Sequence, residues 1–174
     1  MPYANYPRRQ RFAIAQLNQM TQDEFVAVLA AVFEETPTIA NSTWEKRPFA
    51  DVADLYQQMV DVVKAMNREE QLALIRAHPD LGSKVTMAEA SVEEQAGVGL
   101  NQLTPPEYKH FEILNRRYKE KFGFPFIVAV KNHTKDSILA TFARRLDNTL
   151  DQELEQALTE IFQIAQFRLL AMVE

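Results

Sequence analysis

Apolar residues recur through most of this chain at the three- and four-residue spacing of amphipathic helices. The first clear case begins at Thr21 and Glu24, which have the spacing of a capping box, and its apolar stripe follows at Phe25, Val28, Leu29, Val32 and Phe33. Five later segments begin in the same way, with a polar residue that can cap a helix ahead of an apolar stripe: Asp51, Asn67, Thr104, Thr134 and Thr149. This pattern predicts an all-α protein.

One stretch departs from the helical pattern, because residues 126–130 are apolar at every position. It has the composition of a β-strand, but a single strand would have nothing to pair with. We therefore predict a buried extended segment or the start of a helix. No repeat, low-complexity segment or linker divides the chain, so we expect one multi-helix bundle domain over residues 1–174.

Composition excludes several classes of function. A net charge of −5 without a basic stripe argues against binding to nucleic acid. The absence of cysteine excludes disulfides, a thiolate nucleophile and zinc–sulfur sites. The first residues lack the apolar core of a signal peptide, and no segment approaches the length of a membrane span. We therefore expect a cytoplasmic protein with no membrane partner.

The segment from Arg76 to Leu81 places an imidazole and a carboxylate where a helix has to stop. Pro79 disfavours the α conformation for His78, so His78 should lie at a helix C-terminus, close to Asp80. The partial negative charge of the last helical carbonyls favours imidazolium there. Such a group can exchange a proton near neutral pH. The alternative is a histidine that only ends the helix.

Arg168 breaks the pattern of the last helix. Steps of ~100° per residue place it in one narrow arc with four apolar residues, which are Leu154, Leu158, Ile161 and Ala165. A guanidinium on an apolar face pairs with a buried carboxylate or holds a planar anionic ligand. The alternative is a side chain that reaches past the apolar face to solvent.

Two other segments are candidate ligand contacts. Ser91 and Glu94 have the spacing of a capping box, and the free amides at a helix N-terminus can bind anionic or carbonyl groups, with Gln95 adding a polar amide. The alternative is a cap without a ligand. Aromatic residues around a glycine and a proline form a rigid corner, whose following amides need partners: Phe122, Gly123, Phe124, Pro125 and Phe126. Such a corner can equally be part of the core.

Together these motifs resemble the 2-oxo-4-hydroxy-4-carboxy-5-ureidoimidazoline (OHCU) decarboxylase family, which acts in urate degradation after urate oxidation and hydroxyisourate hydrolysis. The resemblance covers nearly the whole chain, from the helix at Thr21 to Arg168. It rests on the order and spacing of four motifs: His78-Pro79-Asp80-Leu81, Ser91-x-x-Glu94-Gln95, Phe122-Gly123-Phe124-Pro125-Phe126, and Arg168 in the terminal helix. The family often has Ala-Gly where this chain has Gly82-Ser83, a difference that we expect to change loop flexibility but neither acid nor base.

The resemblance implies an all-helical homodimer that decarboxylates OHCU to (S)-allantoin without metal, pyridoxal, thiamine or flavin. It implies that His78 is the proton donor and Glu94 a second catalytic group. It also implies a set of residues that line the ureidoimidazoline substrate: Pro79, Ser91, Val92, Glu93, Glu94, Gln95, Phe126, Ile127, Val128, Ala129, Val130 and Arg168.

Two other functions remain open at this point. One is a metal-dependent hydrolase that uses His78, Asp80 and Glu94, because a His-x-Asp pair with a third carboxylate can bind a divalent ion. Only one histidine is well placed, so the case for a zinc or iron site is weak. The other is a helical interaction module without catalysis, which predicts no small-molecule pocket.

Overall fold

The protein folds into packed helices around one apolar core, in a computed structural model that describes residues 10–83 and 87–174. Those residues contain nine α-helices, one 3-10 turn and no β-strand, which confirms the all-α prediction. In chain order the helices are α1 (Ile14–Gln19), α2 (Gln22–Leu29), α3 (Pro37–Trp44), α4 (Val52–Ala65), α5 (Arg68–Arg76), α6 (Glu89–Gly97), α7 (Pro105–Phe122), α8 (Lys135–Arg145) and α9 (Leu150–Met172). Within the described ranges, no helix is both long and apolar enough to cross a membrane. Residues 1–9, where we expected no signal peptide, lie outside those ranges.

The predicted helix starts are confirmed by their caps. Thr21 and five later residues each accept a hydrogen bond from a backbone amide in the first turn of their helix, and these five are Asp51, Asn67, Thr104, Thr134 and Thr149. The reciprocal bond of a capping box is present at α2, where the Glu24 carboxylate accepts from the Thr21 amide at 2.8 Å. Local side-chain chemistry therefore sets where these helices begin.

The apolar spacing after Thr21 overestimated the length of α2. The helix ends at Leu29, and Val32 and Phe33 are buried in the turns that follow. Pro37 begins α3, and the residue before a proline is disfavoured in the α conformation. Glu35 has a φ of 43°, a left-handed conformation that is uncommon for a non-glycine residue. The chain therefore turns sharply between α2 and α3.

The predicted capping box at Ser91 and Glu94 is wrong. Helix α6 has Ala88 at its N-cap, without a capping side chain, so Ser91 lies inside the first turn and is buried. Its hydroxyl donates to the Glu34 carboxylate at 2.8 Å and makes no cap. A serine can cap a helix or, inside the first turn, use its hydroxyl for a tertiary contact. The spacing of Ser91 and Glu94 fits both the N-cap position and a position inside the helix, so the sequence pattern did not distinguish them.

Residues 126–129 are a buried extended segment that leads into the 3-10 turn Val130–Asn132, as predicted. The Phe126 ring stacks on Phe142 at 3.8 Å between centroids. The Ile127 carbonyl accepts from Arg145 Nη1 at 2.6 Å, and the Ala129 amide donates to Glu160 Oε2 at 3.1 Å. Side chains of α8 and α9 thus supply partners that a neighbouring strand would supply in a sheet.

A buried ion pair between Arg145 and Glu153 supports this segment. The guanidinium donates to Glu153 from both Nε and Nη2, with Nη2 at 2.8 Å from Oε2, and its carbon lies 4.4 Å from the centre of the Phe126 ring. The carboxylate also accepts from the Tyr118 hydroxyl and from Asn148. Burial opposes ionisation, but these hydrogen bonds hold the pKa of Glu153 below its ordinary value.

We expect Arg145→Ala to lower the free energy of unfolding by about 3–5 kcal/mol, because it leaves the buried Glu153 carboxylate without its counter-charge. Arg68→Ala is the matched control, since Arg68 pairs with Asp151 of the same helix at an exposed site and should cost about 1 kcal/mol or less. Urea denaturation of both variants measures the difference. Equal losses of unfolding free energy in the two variants would show that the buried pair contributes no more to stability than the exposed pair.

Candidate active site

The loop that carries His78 is held from three sides. It follows α5, and its Gly82 amide donates to Gln95 Oε1 of α6 at 2.9 Å. Asn115 of α7 donates its amide to the Leu81 carbonyl at 2.9 Å. A side chain at position 82 would place its Cβ 2.8 Å from a Leu103 methyl, and the φ of 69° there also favours glycine. These bonds fix the position of His78 relative to α6.

His78 itself is buried and oriented by α5. Its Nδ1 lies 3.0 Å from the Leu74 carbonyl. A carbonyl only accepts, so Nδ1 carries the hydrogen and the neutral ring presents the Nε2 lone pair. Burial lowers the pKa of His78 to about 4, which outweighs the opposing effects of the Glu34 charge and the Leu74 carbonyl. The expectation that the helix end would favour imidazolium is therefore wrong, because desolvation is the larger effect.

Arg168 of α9 joins three distant parts of the chain. Its Nε and Nη2 donate to the two oxygens of Glu94, at 2.8 and 3.1 Å. Nη2 also lies 3.1 Å from the Ser91 hydroxyl and 2.9 Å from a Glu34 oxygen, and Nη1 donates to the Ala31 carbonyl at 3.1 Å. Of the alternatives open from the sequence, Arg168 therefore pairs with buried carboxylates.

Glu34 is a charged residue beside the site that sequence analysis missed. It is 1% exposed, lies in the turn after α2, and pairs with both Ser91 and Arg168. A glutamate at the end of an apparent helical stripe gives no sign that it turns inward. The early end of α2 at Leu29 lets its carboxylate turn inward to Ser91 and Arg168, which line the pocket.

Most of the predicted site residues line one small pocket with a cavity volume of about 30 Å³, which is partly open to solvent. Its lining combines a few polar groups with an apolar wall, the composition usual for small-ligand sites. Ten predicted residues line it: His78, Pro79, Ser91, Glu94, Gln95, Phe126, Ile127, Val128, Val130 and Arg168. Leu81 and Ile164 also line it and were not predicted.

Three predicted residues do not line this cavity. Val92 is 49% exposed and Glu93 is exposed at an outer groove next to α6, because both point away from the inward face of that helix, which carries Ser91 and Gln95. Ala129 is buried behind the wall, where its amide already donates to Glu160. The helical period thus divides the Ser91–Gln95 motif between two faces.

The metal site considered from the sequence is not assembled. Asp80 pairs with Lys119 at 3.0 Å, and Glu94 pairs with Arg168, so each carboxylate already has a cation. Across residues 10–83 and 87–174, no group of three or more histidine, cysteine, aspartate or glutamate side chains is placed to hold a metal ion. In the described part of the chain, the Asp80 carboxylate accepts from Lys119, and the His78 ring bonds to the Leu74 carbonyl and not to Asp80.

Comparison with protein families agrees with the arrangement of these residues. The profile described as OHCU decarboxylase matches residues 18–170, which is most of the chain. This chain belongs to the OHCU decarboxylase family. The family match includes every helix from α2 to α8 and the part of α9 that carries Arg168.

Two relatives each match 91% of this chain. The 2-oxo-4-hydroxy-4-carboxy-5-ureidoimidazoline decarboxylase of Halalkalicoccus jeotgali is 41% identical over 159 residues, covering 91% of this chain and 90% of that protein. The uric acid degradation bifunctional protein PucL of Bacillus subtilis is 44% identical over 158 residues, covering 91% of this chain but 32% of that longer protein.

Solved structures give the same fold. A crystal structure of (S)-allantoin synthase superposes with a TM-score of 0.76 at 27% identity, covering 92% of this chain and 54% of that chain. A crystal structure of OHCU decarboxylase in the presence of (S)-allantoin superposes with a TM-score of 0.67 at 22% identity, over 84% of this chain and 94% of that chain. The second likeness supports the fold alone.

The low pKa of His78, about 4, makes the stability of this family member depend on pH. Between the ordinary histidine pKa of 6.5 and the folded value, the unfolded chain binds the extra proton, so stability falls as pH falls through that window. We expect His78 to account for about 2 kcal/mol of loss between about pH 7 and pH 5. His78→Gln should be less sensitive to acid than the unmodified protein when urea denaturation is repeated at both pH values.

His110→Gln is the control, since His110 is exposed on α7 and should leave the pH dependence unchanged. An acid sensitivity of His78→Gln equal to that of the unmodified protein would mean that the His78 imidazole is not held neutral by burial.

Proposed function

We propose that this protein decarboxylates OHCU to (S)-allantoin in urate degradation and so acts as a carboxy-lyase. The observation that supports this most directly is the meeting of His78, Glu94 and Arg168 at one small cavity, although they lie far apart in the sequence. The family match and the names of the relatives agree with this activity.

The substrate needs little from the protein to release carbon dioxide. As its name states, one ring carbon bears both a hydroxyl and a carboxyl group, and the neighbouring carbon bears the ureido group. An imidazoline has one ring double bond, which places a C=N beside the carbon that reacts. When the bond to the carboxylate breaks, its electron pair moves into that C=N. The protein's tasks are to orient the ring, hold the carboxylate out of its plane and direct a proton to one face.

We assign His78 Nε2 the proton transfer. As a buried neutral base it accepts the hydroxyl proton, so the hydroxyl-bearing carbon becomes a carbonyl. The same imidazolium then donates that proton to the ureido-bearing carbon, which makes the product a single enantiomer. His78 thus becomes a proton donor after it has acted as an acceptor. The ring nitrogen that receives the electron pair takes up one further proton from solvent, so that the carboxylate substrate and one proton give neutral (S)-allantoin and carbon dioxide.

Glu94 and Gln95 are placed to bind the substrate's N–H and hydroxyl groups. Arg168 holds Glu94 by two parallel hydrogen bonds, so the carboxylate has a fixed direction. Gln95 accepts from Gly82 through its oxygen, and within residues 10–83 and 87–174 its nitrogen contacts the Met87 sulfur at 3.6 Å. That nitrogen is the donor we assign to the substrate. The Ile127 carbonyl and the Ala129 amide already have partners. We therefore assign hydrogen bonding to the edge of the substrate ring to the backbone groups of Val128.

Several features of this proposal rest on the sequence and the resemblance. A homodimer, a cytoplasmic location, one domain over residues 1–174 and a reaction without cofactor stay predictions. Size-exclusion chromatography with light scattering tests the first, and activity that persists with a chelator tests the last.

Circular dichroism of freshly generated substrate tests the function. We expect the protein to speed the appearance of the signal of (S)-allantoin beyond the rate of spontaneous decay, because a fixed proton donor reaches one face of the ring. A time course that matches the protein-free control would overturn the proposal.

We expect His78→Asn to lower the rate of (S)-allantoin formation by ~10²–10⁴-fold, the usual contribution of a proton-transfer group. The far-UV helical signal should not change, because asparagine fits the buried space. Full turnover in this variant would remove His78 from the mechanism.

Arg168→Lys should lower kcat/KM by at least ~10-fold, because one ammonium cannot hold both oxygens of Glu94 and reach Ser91 and Glu34 as well. Arg144→Lys is the matched control, because it makes the same substitution at an exposed position on α8. It should retain full activity. Equal activity of both variants would contradict a bidentate role for Arg168.

A further inference from the structure

The cavity wall and the carboxylate directly behind it together hold more negative than positive charge. Two carboxylates, Glu34 and Glu94, share the one guanidinium of Arg168. Among the residues described as lining the cavity, Arg168 is the only cation, and the His78 ring is neutral. The contacting cluster therefore carries one uncompensated negative charge inside the protein.

Glu34 is the source of that excess. Glu94 alone would neutralise Arg168, with which it makes two charge-assisted hydrogen bonds. Glu34 adds a second carboxylate at 2.9 Å from Nη2, in a side chain that is 1% exposed. Burying a second carboxylate has a large desolvation cost, so its presence calls for a reason other than stability.

The backbone around Glu34 is shaped to turn this carboxylate inward. The next residue, Glu35, has a left-handed φ of 43°, and the Thr36 hydroxyl donates to the Glu34 carbonyl at 2.7 Å. The Ser91 hydroxyl donates to the Glu34 carboxylate at 2.8 Å, which fixes its direction towards α6 and α9. Glu34 is thus held behind the cavity wall and reaches it through Ser91 and Arg168.

An excess of buried negative charge acts differently on the substrate and on the transition state of a decarboxylation. The bound substrate carries a carboxylate, which the fixed charges repel strongly because little water screens them. As carbon dioxide leaves, that group becomes neutral and the charge moves into the ring C=N, farther from the carboxyl position. The repulsion is therefore released during the reaction, which raises kcat at the expense of substrate affinity.

We propose that Glu34 is a positioning residue that keeps this excess negative charge at the cavity, so that the substrate carboxylate is bound weakly and lost readily. The proposal rests on the proposed decarboxylase function. It assigns to Glu34 a role in both affinity and rate, exerted through Arg168 and Ser91 and not by contact with the reacting atoms.

Glu34→Gln tests the proposal by removing the charge while keeping an oxygen that accepts from Ser91 and Arg168. Arg168 and Glu94 remain as a neutral pair, so we expect the variant to fold. We expect kcat to fall by at least ~10-fold and KM to fall by at least ~3-fold, the signature of lost ground-state repulsion. A residue with only a structural role would lower kcat and leave KM unchanged or raised, and either result overturns the proposal.

Two further variants control for charge and for folding. Glu35→Gln removes the same charge from the adjacent exposed position and should leave both constants unchanged. Glu34→Asp keeps the carboxylate, so its KM should not fall below that of the unmodified protein. A lower KM in Glu34→Asp would overturn the proposal even if Glu34→Gln failed to fold.

Calorimetric binding separates this inference from the function on which it rests. Hydantoin-5-acetate is an anionic probe of similar ring shape, and (S)-allantoin is a neutral one. We expect Glu34→Gln to bind hydantoin-5-acetate at least ~3-fold more tightly than the unmodified protein does, with (S)-allantoin affinity unchanged. If the unmodified protein binds neither probe, the proposed function fails; if it binds them but the variant shows no gain for the anion, only the role of Glu34 fails.

Discussion

The burial of Arg168 is the constraint on which the candidate site depends. A guanidinium cannot leave water without acceptors for its donors and counter-charges for its cation. Here those partners come from the turn after α2 and from α6, so the fold has to bring three distant segments to one point. Burial alone would lower the pKa of Arg168, yet the bonds from Glu94 and Glu34 raise it. The residues that satisfy the arginine are also residues that shape the cavity.

Desolvation also decides the state of the candidate proton-transfer group. The helix dipole would stabilise the charged form of a histidine at an exposed helix end, but this effect is modest and is limited to the last turn. His78 is 8% exposed, and the loss of water around a charged ring is the larger effect. The same carbonyl that would have favoured the cation instead fixes the tautomer. The loop thus supplies a neutral imidazole with a defined lone pair, which is what an initial base needs.

Sequence reasoning succeeded where local chemistry decides the structure. Thr104 and Thr149 start helices because their hydroxyls bind amides a few residues away, and the inward position of Arg168 follows from helical geometry. It failed where a tertiary contact overrides a local pattern. Ser91 matched a cap but bonds to Glu34, and the stripe through Phe33 hid the early end of α2. Glu34 was missed for this reason, because its role arises only when α9 and α6 pack beside the turn.

The ends of the described chain lie side by side. Phe12 pairs with Val173 in a single parallel bridge, and Arg11 donates to the carbonyls of Leu170 and Val173 at 3.2 and 2.9 Å. A polypeptide joined at either side would therefore attach to one corner of the helical body and would not need to thread between its helices. This geometry suits a unit that forms part of a longer protein, as in the Bacillus subtilis relative, where the matching region makes up 32% of the length. Covalent linkage to a second activity can then leave the interior undisturbed.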